Sequence, residues 1–454
     1  MSQTLTKFSQ RRRWAADQAI SFLMQQGVEH PHVVSLAAGL VDPGSLPVAE
    51  AIEAARDVLS DDLRARSALQ YGTTQGDLRL RRQLVDYHNR LEQTSTLAAS
   101  RTVTADEIVC TTGSQQLLAL LADALLDPGD ICLVAAPTYF VFLGVLEGVG
   151  ARAIALPADE HGLRMDALTA ELQRLESVGE LSRVKLIYVV SEFENPTGIS
   201  LSLERRAELV EIAKHWSQRR GETIYVLEDA AYRELHYGPP SWGRFSTCPP
   251  TGVTNSNDGH VENLPHDPSV WSFDVAGDTV IHAGTFSKSF APGLRVGFAL
   301  MPRELRDAVN DLKGNQDFGS ANFNQHLLAE LLASGRFATH AEEVRAAYRI
   351  KRDAMLSAAD EFFSDLPGVS WVHPHGGLYV WMSLPPQVAT GFDSTLFCRA
   401  VDVEQVMYVP GELCFGGPRE QRERNHMRLS FGVQSPDGIR EGMRRLSRAV
   451  RAVL

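Results

Sequence analysis

The chain has 454 residues, 44% hydrophobic and 22% charged, with a formal net charge of −12. This length exceeds one ordinary core and predicts two domains, and the acidic balance argues against a nucleic-acid partner or an anionic membrane, both of which need a basic face. The five cysteines (Cys110, Cys132, Cys248, Cys398, Cys414) are scattered with no CxxC and no zinc spacing, the N-terminal stretch lacks the apolar centre of a secretory signal, and no apolar run reaches a membrane span, so a cytoplasmic protein with reduced thiols and no metal is expected.

In chain order, residues 5–27 predict a helix from the spacing of Phe8, Trp14, Ala15, Ile20, Phe22 and Leu23. Residues 33–48 read as a short strand and a turn-rich loop, in which Gly39 permits a backbone to pass close to a ligand. A helix over 48–63 precedes a turn at Tyr71, Gly72 and Gly76, and Asp77 opens the next helix. The stretch EIVCTTGSQQ predicts a strand over 107–111, a tight turn at Gly113 and a helix opened by Ser114 and Gln115. Free N–H groups at such a helix start, together with the helix dipole, suit an anion. The stretch is neither GxGxxG nor a Walker sequence, which removes the main support for a dinucleotide or nucleoside triphosphate.

Three buried strands follow, each with candidate residues at its carboxyl end, where open α/β sheets bind ligands. ICLVAAPTYF ends on Tyr139, VKLIYVVSEFENPTG leads to Asn195, and IYVLEDAAY ends on Glu228 and Asp229 with Tyr232 three residues on. An aspartate ending an apolar strand is costly to bury unless it meets a cation or a donor. Residues 239–278 lose all periodicity and read as a long surface insertion. A strand over 279–283 then runs into GTFSKSFAPGLRVG, with Lys288 among the hydroxyls of Thr285, Ser287 and Ser289, and Arg295 seven residues on. An amine that can form a Schiff base, beside a guanidinium and hydroxyls that can hold phosphate oxygens, suits an aldehyde carrying a phosphate. Helices over 304–363, four short strand segments and a helix from Pro436 predict a smaller α+β domain, and the strand–helix alternation over 107–300 predicts a mainly parallel sheet.

The order of these motifs over nearly the whole chain, a small-residue glycine turn, PTY, NPTG, DxxY, SK with PGLR, then an arginine near the C-terminus, resembles the fold-type I pyridoxal-phosphate aminotransferases, and within them the aminoadipate/kynurenine-type branch. The resemblance implies an α/β fold with a large cofactor-binding domain (51–315), a smaller C-terminal domain (316–454), and an N-terminal arm (1–50) that forms part of the small domain. It implies pyridoxal 5′-phosphate as cofactor, with Lys288 as the Schiff-base lysine that then moves the α-proton, and Asp229 as partner of the pyridinium nitrogen. Asn195 and Tyr232 would bond the ring oxygen and Tyr139 would stack on the ring. Ser114, Gln115, Thr285, Ser287 and Arg295 would form the phosphate cup. Tyr71 would reach the phosphate of the neighbouring subunit of a homodimer. Arg428 would clamp the substrate α-carboxylate, a role that favours a planar bidentate donor, and Gly39 would lie over the substrate side chain.

The implied reaction moves an amino group from an L-amino acid to a 2-oxo acid with ping-pong kinetics. A β-eliminating lyase on the same scaffold uses the same lysine, aspartate and arginine and stays open, as does a cofactor-binding sensor without turnover. The sensor is disfavoured because only about 34 residues precede SLAAGL at Ser35 and a DNA-binding domain needs ~50 or more. The amino donor stays open, as does which of Arg11, Arg12 and Arg13, if any, faces the pocket.

Overall fold

Apolar strands alternating with amphipathic helices are stable as a sheet covered on both faces. In the computed structural model, which describes residues 7–15, 32–93, 101–237 and 267–454, a short entering strand β1 (Val34–Ser35) is followed by eight that form one sheet. These are β2 (Ile108–Thr111), β3 (Ile131–Ala136), β4 (Arg152–Asp159), β5 (Gly162–Leu163), β6 (Val184–Val190), β7 (Tyr225–Asp229), β8 (Val280–Thr285) and β9 (Gly297–Leu300). Their order is β2-β9-β8-β7-β6-β3-β4-β5. The run β8, β7, β6, β3, β4 is parallel, β9 is antiparallel to β2 and β8, and β5 is antiparallel to β4. The sheet is mainly parallel, as the alternation predicts. β2 and β9 are buried at every position and β6 at all but Lys185, which is why these segments read as continuous apolar runs.

The later strands, β10 (Ser370–Trp371), β11 (Tyr379–Ser383), β12 (Val406–Met407), β13 (Val409–Pro410) and β14 (His426–Ser430), build a second layer. β10-β11-β14-β13 form an antiparallel sheet, and β12 pairs in parallel with β1, so the entering segment is tied to the C-terminal part. The helix Pro436–Arg451 begins with Ser435 Oγ accepting from Gly438 N at 3.1 Å and with proline at its first position, where no N–H is needed. It buries Ile439, Met443, Leu446 and Val450 on one stripe, packed along the helix Arg336–Phe363.

Two expected helices divide. Residues 48–63 give Val48–Leu59 and then Asp62–Leu69, because Asp61 caps the second helix by accepting from Arg64 N at 2.8 Å. Residues 304–363 give three helices, Arg303–Asp317, Asn322–Ala333 and Arg336–Phe363, the last break falling at Gly335 with φ +77°. Most of the expected N-terminal helix lies outside the described residues; Gln10–Trp14 is helical, with Ser9 Oγ accepting from Arg12 N. Most of the expected insertion also lies outside them. Part of its returning end is not on the surface: Val270 and Trp271 are buried, because their N–H groups cap the buried Glu228 carboxylate at 2.8 and 3.1 Å, while Val275 is exposed. Among the described residues, no helix is long and apolar enough to cross a membrane.

Candidate active site

Strand polarity gathers the site. Parallel strands present their carboxyl ends along one edge, and there lie the turn after β2 (Gly113, Ser114), Tyr139 after β3, Asn195 after β6, Asp229 ending β7 and Lys288 after β8. Arg428 on β14 and Tyr379 on β11 close the site from the second layer. Trp381 is the register partner of Arg428, so Tyr379, two residues away, shares its face.

Successive residues of a strand point to opposite faces, and that separates the two carboxylates of β7. Glu228 faces the Trp271 side, where burial raises its proton affinity but His282 and the Val270 N–H outweigh it and hold it down to about 2. Asp229 faces the site. Tyr188 Oη donates to its Oδ2 at 3.0 Å, while Oδ1 is buried with no partner. Burial raises this carboxyl to about 6, against the smaller pulls of the Tyr188 hydroxyl and the Ala231 N–H.

Lys288 Nζ donates to the Gly39 carbonyl at 2.6 Å, and burial lowers its pKa. Arg428 is buried; Nη1 donates to Asn195 Oδ1 at 2.9 Å, Nη2 to the Ala37 carbonyl at 2.8 Å, and Nε has no partner. Asn195 Nδ2 donates to Tyr232 Oη at 3.4 Å, and Tyr232 in turn to Tyr379 Oη at 3.3 Å. The Arg428 guanidinium carbon stands 4.3 Å from the Tyr379 ring centroid and 5.7 Å from that of Phe140. Gly39 is required here by close approach: a Cβ on it would lie 2.8 Å from Tyr379 Oη. Tyr139 is half-buried, and its hydroxyl feels the charges of Asp229, Arg428 and Arg295, which sets it among them.

On the other flank, Gly113 takes φ +71° and begins the helix Gly113–Leu125. A Cβ there would lie 2.6 Å from Arg295 Nη2, so only glycine lets the guanidinium lie against this turn. Arg295 itself is left-handed (φ 50°) and donates to two carbonyls, of Thr112 at 3.2 Å and Pro292 at 3.4 Å; no carboxylate pairs with it among the described residues. Thr285 Oγ1 donates to Ser287 Oγ at 3.0 Å. Ser114 and Gln115 are half-buried in the first helical turn. Ser289 is instead buried, lining a small cavity with Tyr87 and His282.

These residues fit pyridoxal phosphate. The bare, buried Asp229 Oδ1 calls for a cationic N–H; the helix start and an arginine with no acid partner among the described residues call for a phosphate; a desolvated lysine amine senses the charges of Arg295 and Arg428. Tyr71 is not drawn into this set: it is 87% exposed on the loop after Asp62–Leu69. Arg11 and Arg12 also have contacts elsewhere. Arg11 pairs with Asp123 at 2.6 Å, Arg12 stands over the Phe8 ring, and the Trp14 ring packs at Gly150. Gly150 is just past the far end of the helix Phe140–Gly148, about 13 Å of helix from Tyr139.

Sequence reasoning missed Tyr188 and Tyr379. Period-two alternation carried the signal for both, since Tyr188 shares a face with Val190 beside Asp229, and Tyr379 shares one with Trp381 beside Arg428.

The family model "Aminotransferase class I and II" matches residues 31–446. Aromatic-amino-acid aminotransferase 1 of Thermococcus litoralis is 32% identical, over 93% of this chain and 89% of its own. The solved Pyrococcus horikoshii kynurenine aminotransferase, in complex with PMP, superposes with a TM-score of 0.82 at 30% identity, covering 98% of this chain and 97% of its own. The α-aminoadipate aminotransferase LysN of Thermus thermophilus, complexed with N-(5′-phosphopyridoxyl)-L-leucine, gives 0.78 at 31%, with the same coverage.

Proposed function

Because this chain belongs to the class I and II aminotransferases, as a fold-type I, pyridoxal-phosphate-dependent enzyme, we propose that Lys288, Asp229, Asn195, Tyr232 and Arg428 carry its reaction and that Ser114, Gln115, Tyr139, Thr285, Ser287 and Arg295 hold its cofactor. The observation that carries the assignment is the pairing of a buried aspartate oxygen that has no partner with a desolvated lysine at adjacent strand ends.

The enzyme moves an amino group from an amino acid to a 2-oxo acid in two half-reactions. When bound, the cofactor supplies a carbonyl carbon for the amino group and a ring that draws electron density from the Cα–H bond. Asp229 Oδ1 would accept the ring N–H, with Tyr188 fixing the other oxygen. Asn195 and Tyr232 would hold the ring oxygen, and Tyr139 would cover the ring face. Lys288 Nζ takes the α-proton, which requires the neutral amine; burial favours that form. Arg428 receives the α-carboxylate, its Nε being free for one of the two bonds of a planar pair.

The donor we propose is an L-amino acid with a long or aromatic side chain. Tyr139, Phe140 and Tyr379 around Arg428 support this, as do relatives that act on aromatic amino acids and kynurenine. We further propose a homodimer in which Tyr71 serves the partner's site with Gly39 over the substrate in its own. Support comes from an exposed apolar patch: Leu69, Tyr71 and Phe318 adjoin, since Thr74 Oγ1 bonds the Phe318 carbonyl and Asn322 bonds the carbonyls of Ser67 and Gln70. The domain division at 51–315 and 316–454 is supported by the eight-stranded sheet lying in the first span and the four-stranded one in the second. The free thiols Cys110, Cys132, Cys398 and Cys414 support a cytoplasmic location.

The test is an amino-acid panel followed by cofactor absorbance. Loss of the absorbance on adding amino acid alone, and its return with a 2-oxo acid, is expected. Release of pyruvate and ammonia instead would make the enzyme a lyase.

A further inference from the structure

Tyr379 occupies a junction that none of the roles above accounts for. Its ring carries the Arg428 guanidinium on one face, with the cation 4.3 Å from the centroid. Its hydroxyl receives Tyr232, which in turn receives Asn195, and Asn195 Oδ1 accepts from Arg428. The four side chains thus close a ring of contacts, each buried. Within it Arg428 is held edge-on by two acceptors and from below by an aromatic face. A guanidinium held this way loses less freedom when it meets a carboxylate.

We propose that Tyr379 is a positioning residue for the aminotransferase reaction: its ring fixes the plane of Arg428 for the substrate carboxylate, and its hydroxyl ties that clamp to the Tyr232–Asn195 pair. This rests on the assignment of Arg428 as the carboxylate clamp. Ring and hydroxyl make separable contributions. A desolvated cation–π contact contributes enough to be felt in carboxylate affinity. The hydroxyl contributes through its proton. Burial raises its pKa, but Arg428 and Lys288 outweigh that and the net shift is downward. Tyr232, Tyr139, Tyr348 and Cys414 are the other titratable groups that sense it. Once ionised, the Tyr379 ring beneath the Arg428 guanidinium carries a negative charge that offsets part of the cation the substrate carboxylate meets, so affinity falls on the alkaline side.

The experiment uses holoenzyme and the probe 3-phenylpropionate, a carboxylate without an amine that suits the Phe140 and Tyr139 rings. Binding is measured by calorimetry across pH, alongside kcat and KM for the best amino donor. Tyr379→Leu should weaken probe binding and raise KM by about tenfold, within the range for a desolvated cation–π contact, with kcat changed far less. Tyr379→Phe keeps the ring and loses only the hydroxyl's tie, so at neutral pH it should bind the probe more tightly than Tyr379→Leu while losing the alkaline fall, a change that a merely structural role would not produce. Arg428→Gln is the reference. If it binds the probe as wild type does, or wild type does not bind, the clamp assignment fails and this inference fails with it. If Arg428→Gln loses the probe while Tyr379→Leu keeps it, or if Tyr379→Phe keeps the alkaline fall, only the inference is overturned.

Discussion

Tyr188 and Asp229 meet across neighbouring strands, Tyr188 Oη donating to Asp229 Oδ2 at 3.0 Å and leaving Oδ1 bare. Val190 is the register partner of Asp229, so Tyr188 stands on the diagonal of the same face. The pair fixes the direction in which the free oxygen looks. Replacing Tyr188 by Phe removes one hydrogen bond to a charged group, about 1.5 kcal/mol or roughly tenfold. We expect cofactor affinity to fall by that factor with the fold intact. Equilibrium titration of the apoenzyme with cofactor measures it, and an unchanged affinity would show that Tyr188 only fills space.

Lys288→Ala tests the amine. The phosphate contacts remain, so cofactor should still bind weakly, but borohydride should no longer fix it to the chain. Turnover should drop by at least ~10²–10⁴, the usual weight of general acid–base catalysis. Near wild-type turnover would remove Lys288 from the chemistry.

Asp229 makes apoenzyme stability depend on pH. Burial raises its pKa from 3.8 to about 6. A raised folded value gives stability that is full below the unfolded pKa and is lost as pH rises through the folded one. At pH 8 the apoenzyme therefore contains a charged, desolvated carboxylate, a cost on the order of 1–3 kcal/mol. Apo Asp229→Asn should melt above apo wild type at pH 8, and the gap should close near pH 4. With cofactor bound the order should invert. Parallel melting curves at all pH values would mean that the carboxyl is not desolvated.

How far the sequence foresaw this arrangement depended on what each residue interacts with. Asp229, Lys288 and Asn195 sit at strand ends, and strand ends are visible as apolar runs that stop. Gly113 was legible because a tight turn between a strand and a helix requires it. Tyr379 was legible only as sharing a face with Trp381; its meaning lies in Arg428, 49 positions away and on the diagonal across the β11–β14 register, where Ser430 is its direct partner. The resemblance singled out Asp229 over its neighbour Glu228; the pleat is the physical reason, giving Glu228 to the Trp271 turn and Asp229 to the site. The returning end of the insertion looked like surface because its burial is driven by a carboxylate on β7, not by its own composition.

Glu194, beside Asn195, is buried with Oε1 unpartnered, and burial raises it to about 8 against the smaller effects of the Thr138 and Thr197 hydroxyls. The same sign applies: its contribution is present below 4.5 and lost as pH rises through about 8. Glu194→Gln keeps the shape and cannot ionise. It should flatten the fall in melting temperature between about pH 5 and 8, the interval between the unfolded and folded pKa values. If the fall persists unchanged in the variant, the titration belongs to another group.

Tyr71 supplies the test of the shared site. Its 87% exposure in a single chain is an unusual position for a residue expected at a cofactor phosphate, unless that phosphate belongs to a second copy. Tyr71→Phe removes one hydroxyl, worth about 0.5–1.5 kcal/mol in a neutral hydrogen bond and more to a charged group, so cofactor affinity should fall roughly three- to thirtyfold. A cofactor that binds only the assembled form also favours assembly by mass action. Mixing Tyr71→Phe with Lys288→Ala subunits separates the alternatives. If Tyr71 serves the partner, the site that keeps Lys288 receives the intact Tyr71 of the Lys288→Ala subunit, and the mixture turns over at cofactor concentrations too low for Tyr71→Phe alone. If Tyr71 serves its own subunit, every site with Lys288 carries the Phe, and no such activity emerges on mixing. Sedimentation as a fully active monomer would refute the shared site without the mixing experiment.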